Sequence, residues 1–231
     1  MITEDVFGTA LIAYANGLEK DKLWIHTSYG KPEEMPIWYF FRGYDEMPSL
    51  EKMALAICEG KVLDIGAGTG IHSMFLQQMM FDVLAIDTSR QAVELMQQIG
   101  VQKAKCQDYF SYSGEKFDTL LCLMHGLGFI GKLGRLEEFL LKAEHILNSG
   151  GQIILDSSDI EYLYEGQAKP STRYYGEVSF QYEFRNRKSD WFDWVYIDKE
   201  TLKNKCSSMG WHAQVLTEDE NGQYLARLTK T

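Results

Sequence analysis

The sequence predicts an α/β fold, in which a mostly parallel β-sheet carries helices on both faces. Short apolar runs bounded by turn residues recur through the middle of the chain, and segments with helical spacing follow them. Such runs are typical of strands buried on both faces, and their alternation with helices is typical of parallel sheets. A chain of 231 residues with 45% hydrophobic residues is long enough for one large domain with additions and short for two full domains.

The turn after the first of these runs is the most informative part of the chain. Residues 61–65 (Lys-Val-Leu-Asp-Ile) predict a short buried strand, and Gly66, Gly68 and Gly70 follow at every second position before a helix near Ile71. Glycines let the backbone turn sharply and approach a ligand closely, and the start of the helix offers free N–H groups to a carboxylate or phosphate. The dinucleotide fingerprint G-x-G-x-x-G would need its third glycine at position 71, so the spacing argues against that class of site.

Further segments follow this turn in a characteristic order. A second strand ends at Asp87, at about the distance from the glycines where a carboxylate accepts the hydroxyls of a ribose. The other segments are the junction at residues 87–89, the turn at 106–109, the strand at 117–123, and the helix, Gly-Gly turn and strand within 140–156. Over residues 60–156, this series resembles the class I S-adenosylmethionine-dependent methyltransferases.

The resemblance implies a Rossmann-like sheet of seven strands with an antiparallel last strand, and S-adenosylmethionine as cofactor with S-adenosylhomocysteine as product. The implied cofactor-binding residues are Asp64, Gly66, Gly68, Gly70, Asp87, Thr88, Asp108, Tyr109 and Leu123. Within this set, Asp87 is expected to accept from the ribose hydroxyls and Asp108 from the adenine amino group. Tyr109 or Phe110 is expected to pack on the adenine ring, whereas Asp64 is expected to organise the glycine turn.

The acceptor side of the site is predicted from residues after the fourth and fifth strands and from lid candidates. These residues are Tyr39, Arg42, His125, Asp156, Asp159, Tyr174 and Tyr175. His125 lies in a Gly-rich loop where this family builds its acceptor pocket, and it serves either as a general base or as a structural residue. Asp156 and Asp159 either orient a polar or cationic acceptor or cap the next turn, and Arg42 suits a carboxylate. Three other histidines share no metal-ligand spacing, so no metal is expected.

Two additions are expected beside the core, which we assign to residues 61–231. Residues 1–60 are predicted to be a helical extension with an aromatic centre, which either covers the pocket as a lid or cements the extension onto the core. Residues 160–197 are predicted to be an inserted loop and β-ribbon, because apolar and polar residues alternate with a period of two. The apolar face of the ribbon needs a partner, either the protein's own core or a second subunit. A homodimer through residues 177–197 is therefore one of two expectations.

The charge balance argues against a nucleic-acid partner. The formal net charge is −10 without a long basic run, whereas nucleic-acid binders usually carry a concentrated positive footprint. The 4 cysteines are widely spaced, as is typical of free thiols in a reducing cytoplasm. The first residues lack the basic and apolar regions of a signal peptide, and no apolar stretch is long enough to cross a bilayer. We therefore expect a cytoplasmic protein without membrane contact.

The function favoured by the sequence is methyl transfer from S-adenosylmethionine to an unidentified small molecule by in-line displacement. Three alternatives stay open at this point. They are a non-catalytic module that binds S-adenosylmethionine or a partner chain, a nicotinamide-dependent oxidoreductase, and an aminopropyl transferase, which shares the core but uses a decarboxylated cofactor.

Overall fold

The chain forms twelve strands and six α-helices over residues 4–166 and 168–231, the part that the computed structural model describes. The strands are β1 Leu23–Thr27, β2 Glu33–Met35, β3 Lys61–Ile65, β4 Asp82–Asp87, β5 Ala104–Cys106, β6 Phe117–Cys122, β7 Leu147–Ser158, β8 Glu177–Phe184, β9 Arg187–Lys188, β10 Phe192–Val195, β11 Trp211–Glu218 and β12 Gln223–Lys230. The helices are α1 Val6–Ala15, α2 Ser49–Ala56, α3 Ile71–Gln78, α4 Arg90–Ile99, α5 Leu136–Ile146 and α6 Lys199–Ser208. Short 3₁₀ turns lie at Ile37–Phe40, Tyr44–Glu46, Gly126–Ile130, Leu133–Arg135 and Glu161–Tyr164.

The main sheet has seven strands in the order β11-β12-β7-β6-β3-β4-β5. The pairs β3–β4, β3–β6, β4–β5 and β6–β7 are parallel, whereas β12 runs antiparallel to both of its neighbours. This order confirms the predicted α/β fold, with a seven-stranded and mostly parallel sheet whose last strand is antiparallel. The carboxyl ends of the central parallel strands therefore meet at one edge, where ligands bind in open α/β sheets.

Helices cover both faces of the main sheet. Leu63 of β3 packs into a core shared with Phe139 of α5 and Leu202 of α6. Its neighbour Val62 points to the opposite face and packs into a core shared with Leu76 of α3 and residues of α2. Successive side chains of a strand alternate between faces, so a continuous apolar run such as this one needs a cover on each side.

A second sheet is fully antiparallel and has the order β10-β8-β1-β2, with β9 beside β8. Its strands β8 and β10 are the predicted ribbon, and they are joined by β1 and β2 from the N-terminal extension. These two short strands were not predicted from the sequence. Residues 1–3 and Gln167, which fall within the two predicted additions, lie outside the described residues.

One face of the second sheet, here called the inner face, points towards the rest of the chain. It carries Leu23, Ile25, Val178, Phe180, Tyr182, Phe184, Phe192 and Trp194, because residues paired across antiparallel strands share a face. Leu23 and Phe184 at one end are buried against α1 and α4, and Val178 at the other end is buried near Ile160. The chain's own residues thus cover both ends of this apolar face, whereas its centre stays partly exposed.

Helix α1 packs on the N-terminal part of α4. Ala10 and Leu11 of α1 are buried beside Ala92 and Leu95 of α4. Gly8 permits this close approach, because a Cβ atom at this position would lie 2.5 Å from the Ser89 hydroxyl oxygen. In the described part of the chain, no helix combines the length and the apolar character needed to cross a membrane.

Candidate cofactor and acceptor site

The three glycines of the turn between β3 and α3 have different neighbours. All three have positive φ angles, of 70° at Gly66, 58° at Gly68 and 80° at Gly70. A Cβ atom at Gly66 or Gly68 would meet no atom within 4 Å, whereas one at Gly70 would lie 2.9 Å from side-chain carbons of Met96 and Val101. Gly66 and Gly68 therefore line open space, and Gly70 allows the turn to pack on α4.

Asp64 is buried beneath this turn and does not reach its open side. Its carboxylate accepts a hydrogen bond of 2.7 Å from the hydroxyl of Ser73 in α3. Burial raises the pKa of Asp64, although the Ser73 hydrogen bonds and the nearby His72 act in the opposite direction. These contacts join the end of β3 to the start of α3 and support the structural role expected from the sequence.

Asp87 closes the glycine turn from the neighbouring strand. Its carboxylate accepts backbone hydrogen bonds from Gly68 N at 2.9 Å and from Ser89 N at 2.8 Å. Burial raises the pKa of Asp87 to about 6, against the lowering by these two N–H groups and with a further rise from the charges of Asp5 and Asp64. A carboxylate has about four lone-pair sites, so two acceptor sites remain for ligand hydroxyls.

Asp5 fixes the N-terminal extension beside Asp87. One oxygen of its carboxylate caps α1 by accepting from Gly8 N at 2.9 Å. The other accepts from the Ser89 hydroxyl at 2.6 Å and from Gln91 N at 3.3 Å. Ser89 therefore binds Asp5 through its side chain and Asp87 through its backbone, which couples the position of α1 to the carboxylate at the end of β4.

Of the residues predicted to bind the nucleoside, Thr88 and Asp108 are exposed, whereas Tyr109 is buried in the main core. Thr88 is exposed, and so is Asp108, whose carboxylate accepts from Ser111 N at 2.9 Å. Tyr109 is only 2% exposed, and its hydroxyl donates to the carbonyl oxygen of Phe139 at 2.9 Å. The side chain of Tyr109 belongs to the main core, which does not agree with the expected packing on the adenine ring.

A buried ionic triad connects the extension to α3. Arg42, Glu51 and His72 are 2%, 3% and 4% exposed, respectively. The Arg42 guanidinium donates to Glu51 and to the carbonyl oxygen of Tyr39, and Glu51 Oε2 lies 2.7 Å from His72 Nε2. Burial acts to raise the pKa of Glu51, but the interactions with His72 and Arg42 prevail and hold it below its ordinary value.

Of the predicted acceptor residues, Arg42 belongs to this triad and Tyr39 packs against it. The Arg42 guanidinium carbon lies 3.6 Å from the centre of the Tyr39 ring. Arg42 Nε is buried and has no hydrogen-bond partner among the described residues. A second contact anchors the same segment to the glycine turn, because the Thr69 hydroxyl donates to the carbonyl oxygen of Phe40.

His125 lies in a strained turn directly after β6. Met124 and His125 both have left-handed backbones, with φ angles of 59° and 57°, and Leu123 before them is buried. Such angles are uncommon outside glycine, and they cluster at functional sites. The His125 N–H donates to both oxygens of Asp156, at 3.0 and 2.9 Å, which holds the turn in place.

Asp156 is fully buried behind His125. It also accepts from the Gln223 side-chain amide at 2.7 Å, and its Oδ2 lies 3.5 Å from His125 Nδ1. Burial raises the pKa of Asp156, while His125 and Gln223 act to lower it. The His125 side chain remains 30% exposed, and the ring of Tyr196 stands against it at 5.3 Å in an edge-on arrangement.

The other predicted acceptor residues form structural hydrogen bonds. Asp159 accepts from the Tyr175 hydroxyl at 2.7 Å and from Glu161 N at 2.9 Å, which corresponds to the turn-capping alternative. The Tyr174 hydroxyl donates at 2.7 Å to Asp198, the residue that caps α6. These two tyrosines therefore join the insertion to the core.

Several residues of the site were not predicted from the sequence. They are Asp5, Glu51, Tyr196 and Gln223. Each contacts a residue far away in the chain, and none belongs to a local motif. Tyr196 falls within the predicted ribbon, but its sequence neighbours did not indicate that it stands against His125.

The fold and the glycine turn define a class of protein, the methyltransferases with a Rossmann-like core, and comparisons with known proteins agree. Residues 62–151 match a family model described as a methyltransferase domain. The crystal structure of an S-adenosylmethionine-dependent methyltransferase from Bacteroides fragilis, in complex with S-adenosyl-L-homocysteine, superposes with a TM-score of 0.91 and 36% identity. The match covers 98% of this chain and 95% of the other. The chain therefore belongs to the S-adenosylmethionine-dependent methyltransferases, as predicted, and S-adenosylmethionine is the cofactor of that family.

Other known proteins are similar to this chain either at lower sequence identity or over a smaller part of its length. The sugar N-methyltransferase of a Streptoalloteichus species has a TM-score of 0.58 at 16% identity, covering 86% of this chain and 94% of its own, and shows the fold alone. A probable cobalt-precorrin-6B C(15)-methyltransferase (decarboxylating) of Sulfurisphaera tokodaii is 33% identical over 106 residues. That match covers 44% of this chain and 55% of the relative, so the chain spans about half the length of this curated relative.

Proposed function

We propose that this protein transfers a methyl group from S-adenosylmethionine to a small-molecule acceptor, with His125 as the general base. The observation that carries the proposal is that two features lie at one sheet edge. The first is the open turn at Gly66 and Gly68, here called the glycine cradle, which Asp87 closes. The second is the strained His125, which is backed by the buried carboxylate of Asp156. When bound, S-adenosylmethionine supplies an electrophilic methyl group, so the protein mainly has to align the acceptor and exclude water.

The residues present at the cradle fit this cofactor. Gly66 and Gly68 leave space where any side chain would stand, which suits close approach of a ligand to the backbone. Asp87 has free acceptor sites for two ribose hydroxyls, and exposed Asp108 is available to the adenine amino group. Arg42 Nε is a buried donor without a protein partner, which suits the carboxylate of the cofactor.

The role of His125 follows from what holds it. Its backbone angle is kept in the left-handed region by two hydrogen bonds to Asp156, so the ring is fixed relative to β6 and β7. Its Nδ1 atom is buried on the side of Asp156, and we infer that the exposed part of the ring includes Nε2. A general base must reach the proton that it removes, and Nε2 is the ring nitrogen that remains free to do so.

In the transfer, the acceptor's nucleophilic atom would bond to the methyl carbon as the bond between that carbon and the cofactor's sulfur breaks, which would leave S-adenosylhomocysteine as product. The acceptor's proton would pass to His125 Nε2. The resulting imidazolium would carry its charge 3.5 Å from the Asp156 carboxylate, measured from Nδ1 to Oδ2, and this carboxylate would stabilise it. The proton later passes to solvent. Asp156 acts through His125 and is therefore a positioning residue.

The first test is calorimetric titration with S-adenosylmethionine and S-adenosylhomocysteine, with NADH as a control. Saturable binding of the two adenosyl ligands alone supports the proposal, and NADH binding would point to an oxidoreductase instead. Small amines, phenols, thiols and carboxylates should then be screened for formation of S-adenosylhomocysteine. Cofactor binding without turnover of any of them would favour the non-catalytic alternative. Turnover only with decarboxylated S-adenosylmethionine would favour aminopropyl transfer.

The second test separates His125 from cofactor binding. We expect His125→Asn to lower turnover by about 10²- to 10⁴-fold, the usual contribution of a general base, because Asn accepts a left-handed backbone but cannot take the proton. Its dissociation constant for S-adenosylhomocysteine should stay within about twofold of the wild type, since the asparagine leaves the glycine cradle intact. Turnover that is equal in the variant and the wild type would rule out a base at this position.

We further propose that the acceptor is not a nucleic acid and that the protein works in a reducing cytoplasm. The net charge of −10 opposes a polyanionic partner, and the four cysteines are free thiols, three of them buried. The apolar face of the ribbon is covered at both ends by the chain's own residues, which supports a lid function for residues 177–197 over a homodimer contact.

A further inference from the structure

Tyr182 lies at the centre of the inner face of the second sheet. It pairs with Ile25 across β1 and β8, and its ring stacks on Phe7 of α1 with centroids 5.2 Å apart and an interplanar angle of 24°. Phe192 packs on it from β10 at 5.1 Å. These two rings come from different elements, so packing sets the orientation of the phenol.

One of these neighbours, Phe7, links Tyr182 to the residues around the glycine turn. Phe7 packs edge-on against Phe40 at 5.2 Å, and the Phe40 carbonyl oxygen accepts from Thr69 within the glycine turn. Phe7 also follows Asp5, which binds the Ser89 hydroxyl beside Asp87. Tyr182 is therefore connected to the glycine turn through Phe40 and to the residues beside Asp87 through α1.

The hydroxyl of Tyr182 has no hydrogen-bond partner among residues 4–166 and 168–231. Tyr182 is partly exposed, and its hydroxyl oxygen is not among the buried polar atoms without a partner, so it is open to the space in front of the inner face. The fully buried Tyr109 and Tyr224 hydroxyls instead donate to backbone carbonyl oxygens. Burial and, next to it, the charge of Asp87 raise the pKa of Tyr182, which keeps the phenol protonated and able to donate at neutral pH. The hydroxyl is therefore a donor that a ligand can reach.

We propose that the Tyr182 hydroxyl is a cofactor-binding group, which forms a hydrogen bond to the ribose of the nucleoside that Asp87 holds from the opposite side. The nucleoside is then enclosed between the edge of the main sheet and the second sheet. This assignment rests on the proposed cofactor binding and extends it to a residue outside every motif of the sequence. It also gives the ribbon a direct function in binding.

The test compares Tyr182→Phe with the wild type by calorimetric titration with S-adenosylhomocysteine. The variant keeps the ring and its packing, so we expect the dissociation constant to rise about 5- to 10-fold through loss of one hydrogen bond. The same factor is expected for 5′-methylthioadenosine, a probe with the nucleoside but without the amino-acid part. Melting of the ligand-free variant should match that of the wild type, since the hydroxyl binds no described residue.

Tyr14→Phe is the matched control. Tyr14 lies in α1, the helix that also carries Phe7. Its ring stacks on Phe41 at 4.9 Å, and its hydroxyl makes no hydrogen bond with the described residues. Affinity for S-adenosylhomocysteine should be unchanged in this variant. Equal affinity of Tyr182→Phe and the wild type would overturn the assignment of Tyr182 alone. Failure of the wild type to bind S-adenosylhomocysteine would overturn the proposed function and, with it, this inference.

Discussion

Lowering the pH should weaken cofactor binding through Asp87. The ionised carboxylate is the form that accepts two ribose hydroxyls, and its pKa is raised to about 6, first by burial and then by the charges of Asp5 and Asp64. Ligand donors favour the charged form, so binding pulls this pKa down and releases a proton. In the free protein, the same raised pKa means that stability falls as the pH rises from about 4 to about 6 and then stays level.

The size of the effect follows from a pKa of about 6 in the free protein. The carboxylate is about nine-tenths ionised at pH 7 and about one-tenth ionised at pH 5, so the dissociation constant for S-adenosylhomocysteine should rise about tenfold between these values. At pH 6, about half of the molecules carry the proton, and binding should release about half a proton per site.

Calorimetry at pH 6 in two buffers with different ionisation enthalpies measures this proton release directly. Asp87→Asn should bind more weakly by about 1.5–3 kcal/mol, the usual loss for a hydrogen bond to a charged group, and should release no proton. His125→Asn should release the same amount as the wild type, because we propose that His125 acts on the acceptor and not on the ribose. An affinity that does not change between pH 7 and pH 5, with no proton released, would show that Asp87 is not the ribose carboxylate.

Two further predictions concern the framework of the site. Glu51→Gln should destabilise the protein by about 3–5 kcal/mol, because it strands the buried guanidinium charge of its partner, whereas Glu200→Gln at an exposed ion pair should cost less than about 1 kcal/mol. Denaturant unfolding compares the two, and equal costs would contradict the triad. Gly128→Ala should displace Trp194, since a Cβ atom there overlaps the indole ring. The change should appear in tryptophan fluorescence and in a lower melting temperature, and an unchanged spectrum would contradict this contact.

The cofactor half of the site could be predicted because its determinants are local. A strand, three glycines and a helix form one continuous segment, and positive φ angles restrict the turn to glycine. Asp87 could be placed because the next strand is parallel and adjacent, so both strands end at the same edge. The sheet order followed from the family resemblance of these segments rather than from any one of them.

The direction of the Tyr109 side chain could not be predicted from the sequence. It stands beside Asp108 in a turn, and the sequence gives two aromatic candidates for the adenine ring without a periodic pattern to separate them. In the structure, Tyr109 points into the core, where its ring packs on Phe139 and its hydroxyl donates to the Phe139 carbonyl oxygen. In a turn, contacts with distant residues decide whether a side chain points into the core or into the site. The spacing of residues in the sequence does not indicate these contacts.

The strands β1 and β2 were not predicted for a related reason. They have five and three residues, and only Leu23 among them is buried, so their burial pattern carries little period-two signal. The place of β1 in the second sheet depends on pairing with β8, which lies more than half the chain away, and β2 pairs in turn with β1. The clear alternation in β8 predicted a strand with one buried face, but not the strand that would lie beside it.

The features that could be predicted from local sequence are those expected to bind the cofactor, whereas the features that depend on distant parts of the chain are those expected to bind the acceptor. The glycine cradle and Asp87 belong to one short stretch of chain, which suits a cofactor shared by a large family. The proposed acceptor side combines His125 after β6, Asp156 of β7 and the inner face of a sheet made from two distant segments. On that face, Tyr182 packs with Phe7 in the core beside α1, whereas Ile25, Phe192 and Trp194 pack in a separate core with Val178 and Ile160. The determinants of the acceptor should therefore be sought around Ile25, Phe192 and Trp194, where a change is less directly connected to the cradle.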